Sequence, residues 1–343
     1  MKYALLGRSG LLVSRLAFGA MTFGSGNNPS VYKVDQIGAQ ELVDRALDAG
    51  INFFDTADGY ADGQSEEMLG RLLGSRRKET VIATKGGFRV GSGLVQAGLS
   101  RKHLFTACED SLRRLDTDYI DLYIVHKTDP YTPLEETLEA LNDLVRQGKV
   151  RYIGYSNWPA WQAAQAVTIQ RERGWATFIN GQLYYSLVGR DIEHETVPFA
   201  VSSGIGLTVW SPLAGGFLSG KYTRENLNDE QNRLSGFDFL PHDKEWGFQV
   251  LDTVREIAAS HGATPAQVSL AWLLARPHVS SVLVGSSRLS QLEDNLRAAE
   301  LELSAGDVAR LDEITRPAAL YPNWFTAMTS DTQVSDALEG KRG

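Results

Sequence analysis

The chain has little cysteine, no excess of positive charge and no long apolar run. A single cysteine, Cys108, stands among 343 residues, which excludes an intrachain disulfide and a metal site built from several thiolates. The formal net charge is −8, so we expect no basic surface for nucleic acid or an anionic membrane. The apolar runs are shorter than the roughly 20 residues that a membrane-spanning helix needs, and Arg8 and Arg15 interrupt the apolar N-terminus. These absences predict a soluble, cytoplasmic protein.

Strand-like and helix-like segments alternate along the chain, with no linker dividing them. The predicted strands are 15–20, 52–57, 81–85, 121–126, 151–156, 178–183, 206–213 and 280–285. The helices predicted to follow them are 34–50, 65–74, 100–115, 133–148, 158–174, 194–204, 245–262 and 289–300. Eight such units predict an α/β fold, a (β/α)8 TIM barrel forming one domain over 1–343. A doubly wound sheet is the alternative, but the first strand continues into FGAMTFGSG, which lacks the GxGxxG turn.

Four segments lie outside this repeat. We expect residues 3–14 to form an N-terminal hairpin that closes the floor of the barrel. We expect residues 304–314 to form an extra C-terminal helix that begins with a serine cap. The tail, 316–343, is aromatic and then polar, and we expect its end to be mobile. Residues 223–244 are too long for a tight connection. They predict either a loop that covers a cofactor or a plain surface insertion.

Four polar side chains fall at the ends of neighbouring predicted strands. Asp55 closes the second strand and Tyr60 lies in the loop after it, while Lys85 and His126 end the third and fourth strands. Each alone could be a turn cap, a solvated strand end or a buried histidine. Because the carboxyl ends of parallel strands meet at one rim of a barrel, we expect the four to converge there. The sequence therefore predicts an active site at this rim.

The segments that carry these residues, NFFDTADGYADGQSEEMLG, VIATKGG and DLYIVHKTDP, resemble signature segments of the aldo-keto reductases. The resemblance runs from LGRSGLLVSRLAFGAMTFG to VLVGSSRLSQLEDNL, which is most of the chain. The segment WSPLAGGFLSGKY resembles the branch of aryl-alcohol dehydrogenases and potassium-channel β subunits. The family implies NADPH-linked interconversion of carbonyls and alcohols on a (β/α)8 barrel, without a metal.

The resemblance assigns a role to each of the four residues. Tyr60 would donate a proton to the carbonyl oxygen, and the Lys85 ammonium would lower the pKa of this phenol. Asp55 would pair with Lys85 and keep it charged. His126 would donate a second hydrogen bond to the oxygen and orient the substrate.

The resemblance also implies a nicotinamide site on the later strands. Ser156, Asn157 and Gln182 would bind the carboxamide, and Trp210 would stack on the ring. Ser156–Asn157 could also be a helix N-cap. The other positions implied near the ring and pyrophosphate are Ala20, Met21, Asp55, Ser211, Pro212, Leu213, Gly215, Lys221 and Arg233.

At the last unit, Gly285 and the residues after it precede a helix, which is a natural anion site. Ser287, Arg288 and Gln291 would bind the adenosine 2′-phosphate, which implies NADPH rather than NADH. Asn295 would contact the adenine. An ordinary helix start is the alternative explanation of the serine and arginine.

The substrate pocket would be lined by Tyr60, His126, Phe88 and Trp324, together with Met21, Phe23 and Phe325. These aromatic rings favour a bulky or aromatic aldehyde, ketone or alcohol. A nucleotide-sensing accessory protein of the channel β-subunit type is the main alternative, although those subunits carry Asn at the position of His126. A hydrolase or metal enzyme is disfavoured, because the strand ends supply one clear carboxylate.

Overall fold

The computed structural model describes residues 1–26, 28, 30–227 and 240–338. A short antiparallel pair, β1 Tyr3–Leu5 and β2 Leu12–Ser14, precedes a closed barrel of parallel strands. The barrel strands are β3 Leu16–Gly19, β4 Phe53–Asp55, β5 Val81–Gly86, β6 Ile120–Val125, β7 Val150–Ser156, β8 Phe178–Tyr184, β9 Gly206–Trp210 and β10 Val279–Gly285. Since β10 pairs with both β9 and β3, the ring is closed and the predicted (β/α)8 barrel is confirmed.

Helices connect the barrel strands and form the outer layer. They are α1 Gln36–Asp48, α2 Gln64–Leu73, α3 Arg101–Arg114, α4 Leu134–Arg146, α5 Ala160–Arg173, α6 Thr196–Ser203, α7 Lys244–Ser260, α8 Pro265–Leu274 and α9 Leu289–Arg297. Three more follow the barrel: α10 Ala305–Ile314, α11 Asn323–Met328 and α12 Thr332–Leu338. The extra helix predicted over 304–314 is confirmed, with Ser304 accepting from the backbone N–H of Asp307.

Each barrel strand is buried on two faces, which explains the continuous apolar runs in the sequence. In β6, Leu122 and Ile124 face the barrel interior, where they pack near Phe53, whereas Tyr123 and Val125 belong to the core beneath the helices. The predicted seventh strand is too long by three residues. It ends at Trp210 because Ser211 adopts a positive φ of 52°.

The N-terminal hairpin closes the amino end of the barrel, as predicted. Leu6 and Val13 are fully buried and join the interior cluster. The Arg8 N–H donates to the Gly204 carbonyl at 2.7 Å. Gly7 has a φ of 60°, and a Cβ there would lie 2.6 Å from the Gly204 oxygen, so the close approach requires glycine.

Helix α10 is fastened to the barrel by one carboxylate. Asp312 accepts from the Trp272 indole at 2.9 Å and from the Arg276 guanidinium, and Arg190 lies 3.6 Å from it. Beyond it, α11 exposes much of Trp324 and Phe325. None of the helices in the described part of the chain combines the length and apolar character that crossing a bilayer requires.

Candidate active site

Adjacent strands deliver the predicted polar groups to the carboxyl end of the barrel. Asp55 is the last residue of β4, Lys85 is the last but one of β5, and His126 follows β6 directly. In the parallel pairing of β4 with β5, Asp55 lies opposite Ala83. Tyr60 opens a short 3-10 segment in which Ala61 and the residue after it have positive φ, so the chain turns sharply behind the phenol.

Lys85 is the centre of this cluster. Its Nζ donates to Asp55 Oδ1 at 2.6 Å, to the Thr56 carbonyl at 2.7 Å and to the Tyr60 hydroxyl at 3.3 Å. The side chain is fully buried. Burial acts to lower the pKa of Lys85, but the Asp55 carboxylate and the Tyr60 hydroxyl raise it above the ordinary value. Lys85 therefore stays an ammonium at neutral pH.

The Tyr60 phenol stays protonated as well. Burial raises the pKa of Tyr60, and the opposing effect of the Lys85 ammonium does not cancel it. Lys85 lowers the pKa of Tyr60, as expected from the sequence, but burial raises this pKa by more. Desolvation of a half-buried phenol outweighs one neighbouring charge.

His126 presents a neutral imidazole to the same site. Burial, together with the Lys85 charge, holds the pKa of His126 well below its usual range. The ring centroid lies 5.9 Å from that of Tyr60 and 4.3 Å from that of Phe88. Within the described residues, His126 Nδ1 is buried without a hydrogen-bond partner. A neutral imidazole can donate one N–H to a substrate oxygen.

A second cluster of polar groups stands beside His126. Asn157 has a φ of 58°, and its Nδ2 donates to the His126 carbonyl at 3.0 Å and to Ser156 Oγ at 2.9 Å. Its Oδ1 accepts from Trp210 Nε1 at 3.1 Å. Because the cap of α5 is Pro159, the alternative of a helix N-cap at Ser156–Asn157 is wrong.

Gln182 connects this second cluster to the first. Its backbone carbonyl accepts from Ser156 Oγ at 2.8 Å, and its Nε2 donates to Asp55 Oδ2 at 2.7 Å. Hydroxyl and amide groups are thus fixed in one place, which suits a planar carboxamide. These residues fit the nicotinamide end of a dinucleotide.

The backbone after β9 curves in a way that suits phosphate groups. A 3-10 segment spans Ala214–Ser219, and Ser211 Oγ accepts from the Gly215 N–H at 3.2 Å. Five residues here have positive φ: Ser211, Ala214, Gly215, Gly216 and Gly220. Turns of this kind can present backbone N–H groups to an anion. Here the N–H groups of Ala214 and Gly216 also bond to the Ser211 and Leu213 carbonyls within the turn. Pro212 and Leu213 lie within this turn, and Lys221 follows it.

The start of α9 carries the residues that the sequence predicts for the 2′-phosphate. Gln291 Oε1 accepts from the Ser287 N–H at 3.2 Å and from Ser287 Oγ at 3.3 Å. Arg288 is exposed; its backbone carbonyl accepts from the Gln291 and Leu292 N–H groups, and its side chain makes no hydrogen bond or ion pair within the described part of the chain. Ser286 Oγ is buried with no partner among the described residues. Gly285 ends β10, and Asn295 is buried on α9.

Comparison with known proteins identifies the architecture. The model of the Aldo/keto reductase family matches residues 15–316. The chain is 39% identical over 313 residues to a protein of Oryza sativa subsp. japonica assigned by name to the voltage-gated potassium channel beta subunits, covering 88% of this chain and 92% of the other. The chain belongs to the aldo/keto reductase family.

Two further relatives agree. A protein of Schizosaccharomyces pombe, assigned by name to the aryl-alcohol dehydrogenases, is 36% identical over 339 residues, covering 91% of this chain and 95% of its own. Versiconal hemiacetal acetate reductase of Aspergillus parasiticus is 34% identical over 344 residues, covering 94% and 99%. The predicted family and branch are confirmed. Aldo/keto reductases are NAD(P)H-dependent oxidoreductases that act on small carbonyl compounds.

This aldo/keto reductase also holds a carboxyl group that the sequence analysis missed. Asp58 is 2% exposed, and neither of its carboxyl oxygens has a hydrogen-bond partner among the described residues. Burial and then the nearby Glu66 carboxylate raise the pKa of Asp58 to about 7, against an opposing effect of Arg114. The sequence signal that could have indicated Asp58 is its position between Asp55 and Tyr60, two of the predicted catalytic residues.

Several other residues that were predicted for the cofactor and substrate sites are buried, exposed or outside the described part of the chain. Ala20 is fully buried, and its backbone groups bond to Asp55 and Ser65. Phe23 was predicted as a pocket wall, which is wrong, because it is fully buried in the core. The Trp324 ring contacts the rings of Tyr321 and Phe325, and within the described residues it makes no ring contact with Tyr60. Arg233 lies outside the described residues, and Met21 is half-buried.

Proposed function

We propose that this aldo/keto reductase uses NADPH to reduce a bulky or aromatic aldehyde or ketone reversibly to the alcohol, with Tyr60 as the proton donor. One observation carries the proposal: the buried Lys85 ammonium bonds to the Asp55 carboxylate and the Tyr60 hydroxyl at once. This is the arrangement that a phenol needs to give up a proton reversibly.

When bound, NADPH supplies a hydride to the carbonyl carbon. Negative charge then develops on the carbonyl oxygen, and the Tyr60 hydroxyl donates its proton to that oxygen. The Lys85 ammonium, 3.3 Å from the Tyr60 oxygen, stabilises the phenolate that remains. His126 donates the second hydrogen bond. In the reverse direction the phenolate accepts the proton of the alcohol.

Asp55 acts through Lys85. The carboxylate fixes the ammonium at 2.6 Å and keeps its charge in a fully buried position. The reaction needs no metal, because Tyr60 and His126 together neutralise the developing charge. We also propose that the protein works in the cytoplasm, on the basis of its single cysteine.

The cofactor would be held by groups that the structure brings together. Ser156, Asn157 and Gln182 would bind the nicotinamide amide, with Trp210 beside it. The turn at 211–215 and Lys221 would hold the pyrophosphate. The 2′-phosphate would meet Ser287, Arg288 and Gln291, which supports NADPH over NADH. For the substrate, the Phe88 ring against His126 forms an apolar wall that favours bulky or aromatic carbonyls.

A second candidate is a nucleotide-binding accessory protein. It is supported by the likeness to the rice protein assigned by name to the channel beta subunits. The two proposals differ in turnover: the first requires steady oxidation of NADPH in the presence of a carbonyl, whereas the second requires binding alone.

The test is the loss of NADPH absorbance when purified protein meets a panel of aldehydes, quinones and polycyclic ketones. We expect oxidation that depends on both the carbonyl and the protein. Tyr60→Phe should lower kcat about 10²–10⁴-fold and leave the Kd for NADPH unchanged, because only the proton donor is lost. NADPH binding without turnover across the panel would favour the accessory protein, and wild-type turnover in Tyr60→Phe would overturn the role of Tyr60.

A further inference from the structure

The loop between β5 and α3, residues 87–99, is a closed and internally bonded unit. Its neck is formed by the Gly98 N–H, which donates to the Gly87 carbonyl at 3.1 Å. Inside the loop, the Val90 N–H donates to the Gln96 carbonyl at 3.0 Å, and the Gly93 N–H donates to Gln96 Oε1 at 2.8 Å. A loop whose backbone groups bond to one another has a defined shape.

Asp129, in the loop after β6, fastens the end of this unit. Its Oδ2 accepts from the Leu99 N–H at 2.7 Å and from Thr132 Oγ1 at 2.6 Å, and its Oδ1 accepts from the Tyr131 N–H at 2.9 Å. Partial burial acts to raise the pKa of Asp129, but these hydrogen bonds hold it below the ordinary value. One carboxylate thus joins two loops that follow neighbouring barrel strands.

Glycine at position 98 allows the carboxylate to approach. Gly98 has a φ of 87°, and a Cβ there would lie 2.5 Å from Asp129 Oδ2. Backbone strain and a clash would both oppose any side chain at this position.

The start of the loop reaches the proposed active site. The Phe88 ring packs against the ring of His126, with 4.3 Å between the two ring centroids. Asp129 follows His126 by one short stretch of chain. The two loops joined by Asp129 are therefore those that carry the two rings.

We propose that Asp129 is a positioning residue, which holds loop 87–99 against the loop after His126 so that Phe88 and His126 form one fixed wall of the substrate pocket. This inference rests on the proposed function. Asp129 contacts neither Tyr60 nor Lys85 among its described bonds, so its loss should affect the binding of a bulky carbonyl more than the transfer of the proton.

The test compares Asp129→Asn with the wild-type protein. An amide in this place keeps one acceptor oxygen, so its NH₂ group replaces the acceptor either of Leu99 and Thr132 or of Tyr131. In either orientation the hydrogen bond from the Leu99 N–H is lost or loses its charge assistance. We expect KM for 9,10-phenanthrenequinone to rise on the order of tenfold, the scale of one lost charge-assisted hydrogen bond, with kcat changed less than about threefold. The Kd for NADPH should stay constant. Asp307→Asn, which removes a hydrogen-bonded carboxylate from α10, is the matched control and should leave KM unchanged.

A second measurement does not depend on activity. Arg89 is the one basic residue of loop 87–99, so limited trypsin digestion reports how tightly the loop is held. Cleavage at Arg89 should quicken in Asp129→Asn and not in Asp307→Asn. Unchanged cleavage would overturn the role of Asp129 in holding the loop. Faster cleavage with unchanged KM would show that the loop is no wall of the pocket. Absence of turnover in the wild-type protein would sink the proposed function, while the digestion would still decide whether Asp129 holds the loop.

Discussion

The Gln182 side chain donates a 2.7 Å hydrogen bond to Asp55 Oδ2, joining β8 to β4 across the barrel. The other oxygen of Asp55 accepts from Lys85. Both oxygens of a carboxylate that is 2% exposed are thus satisfied by side chains from two different strands. The amide that we propose for nicotinamide binding is therefore oriented by the same carboxylate that orients the lysine.

Gln182→Leu should destabilise the protein. The leucine would leave Asp55 Oδ2 buried without its donor, which costs about 1–3 kcal/mol. Urea denaturation should show a lower midpoint with an unchanged slope, and fluorescence titration should show weaker NADPH binding. An unchanged midpoint would mean that water replaces the amide.

Arg288→Ala should separate the two cofactors. The exposed guanidinium lies beside Ser287, where we propose that the 2′-phosphate binds. A charge-assisted hydrogen bond contributes about 1.5–3 kcal/mol, so NADPH should bind about 10–150-fold more weakly and NADH almost as before. Equal losses for both cofactors in fluorescence titrations would assign Arg288 to another group.

Asp58→Asn should change how stability depends on pH. The pKa of Asp58 rises from 3.8 to about 7 on folding, so between these values the folded state binds more protons than the unfolded state. The stability that Asp58 contributes is then present at acidic pH and is lost as the pH rises towards 7. Above that pH, the buried carboxylate costs up to about 4 kcal/mol, which the asparagine avoids.

Urea denaturation at several pH values checks this prediction. The difference in unfolding free energy between Asp58→Asn and wild type should shift in favour of the variant as the pH rises. Asp62→Asn, an exposed position in the same loop, is the matched control. A pH-independent difference would show that Asp58 is not buried without partners in solution.

We also propose that residues 223–244 cover the bound nucleotide. Residues 228–239 lie outside the described part of the chain. Arg224, near the start of the segment, pairs at 2.7 Å with Glu245, the residue that follows its end. Saturating NADPH should slow trypsin cleavage at Arg224, Arg233 and Lys244, and shortening the segment should weaken NADPH binding while speeding its release. Equal cleavage rates with and without NADPH at all three sites would leave an ordinary surface loop.

The barrel could be predicted because its periodicity is local. Strands that are buried on two faces appear in the sequence as continuous apolar runs. Helices with one buried face appear as apolar residues three or four positions apart. Helix α8 was missed because nearly all of its residues are buried, so it has no polar face, and because it follows α7 with no strand between them. Its start carried a readable signal, the capping box of Thr264 and Gln267. The short helices α11 and α12 were also missed.

The sequence could predict which residues lie at the strand ends of the proposed site, but it could not predict their protonation states. The convergence of Asp55, Lys85 and His126 follows from chain order alone. The pKa of Tyr60 does not, because it depends on how far burial outweighs one ammonium. Likewise, the isolation of Asp58 depends on which neighbours lie out of reach. Both are properties of three-dimensional packing that spacing in the sequence does not contain.

The C-terminal part of the chain consists of two segments that should tolerate sequence change to different degrees. Helix α10 is bonded to the barrel through Asp312, whereas the described residues after 316 are not. The Asp312 carboxylate bonds helix α10 to Trp272 and Arg276 of the barrel. The match to the family model ends shortly after α10, at residue 316. The tail helix α11 is exposed. Insertions, losses or exchanges after residue 316 can therefore accumulate with little effect on folding. A change that removes Asp312 takes away the carboxylate that accepts from both Arg276 and the Trp272 indole, and would be selected against.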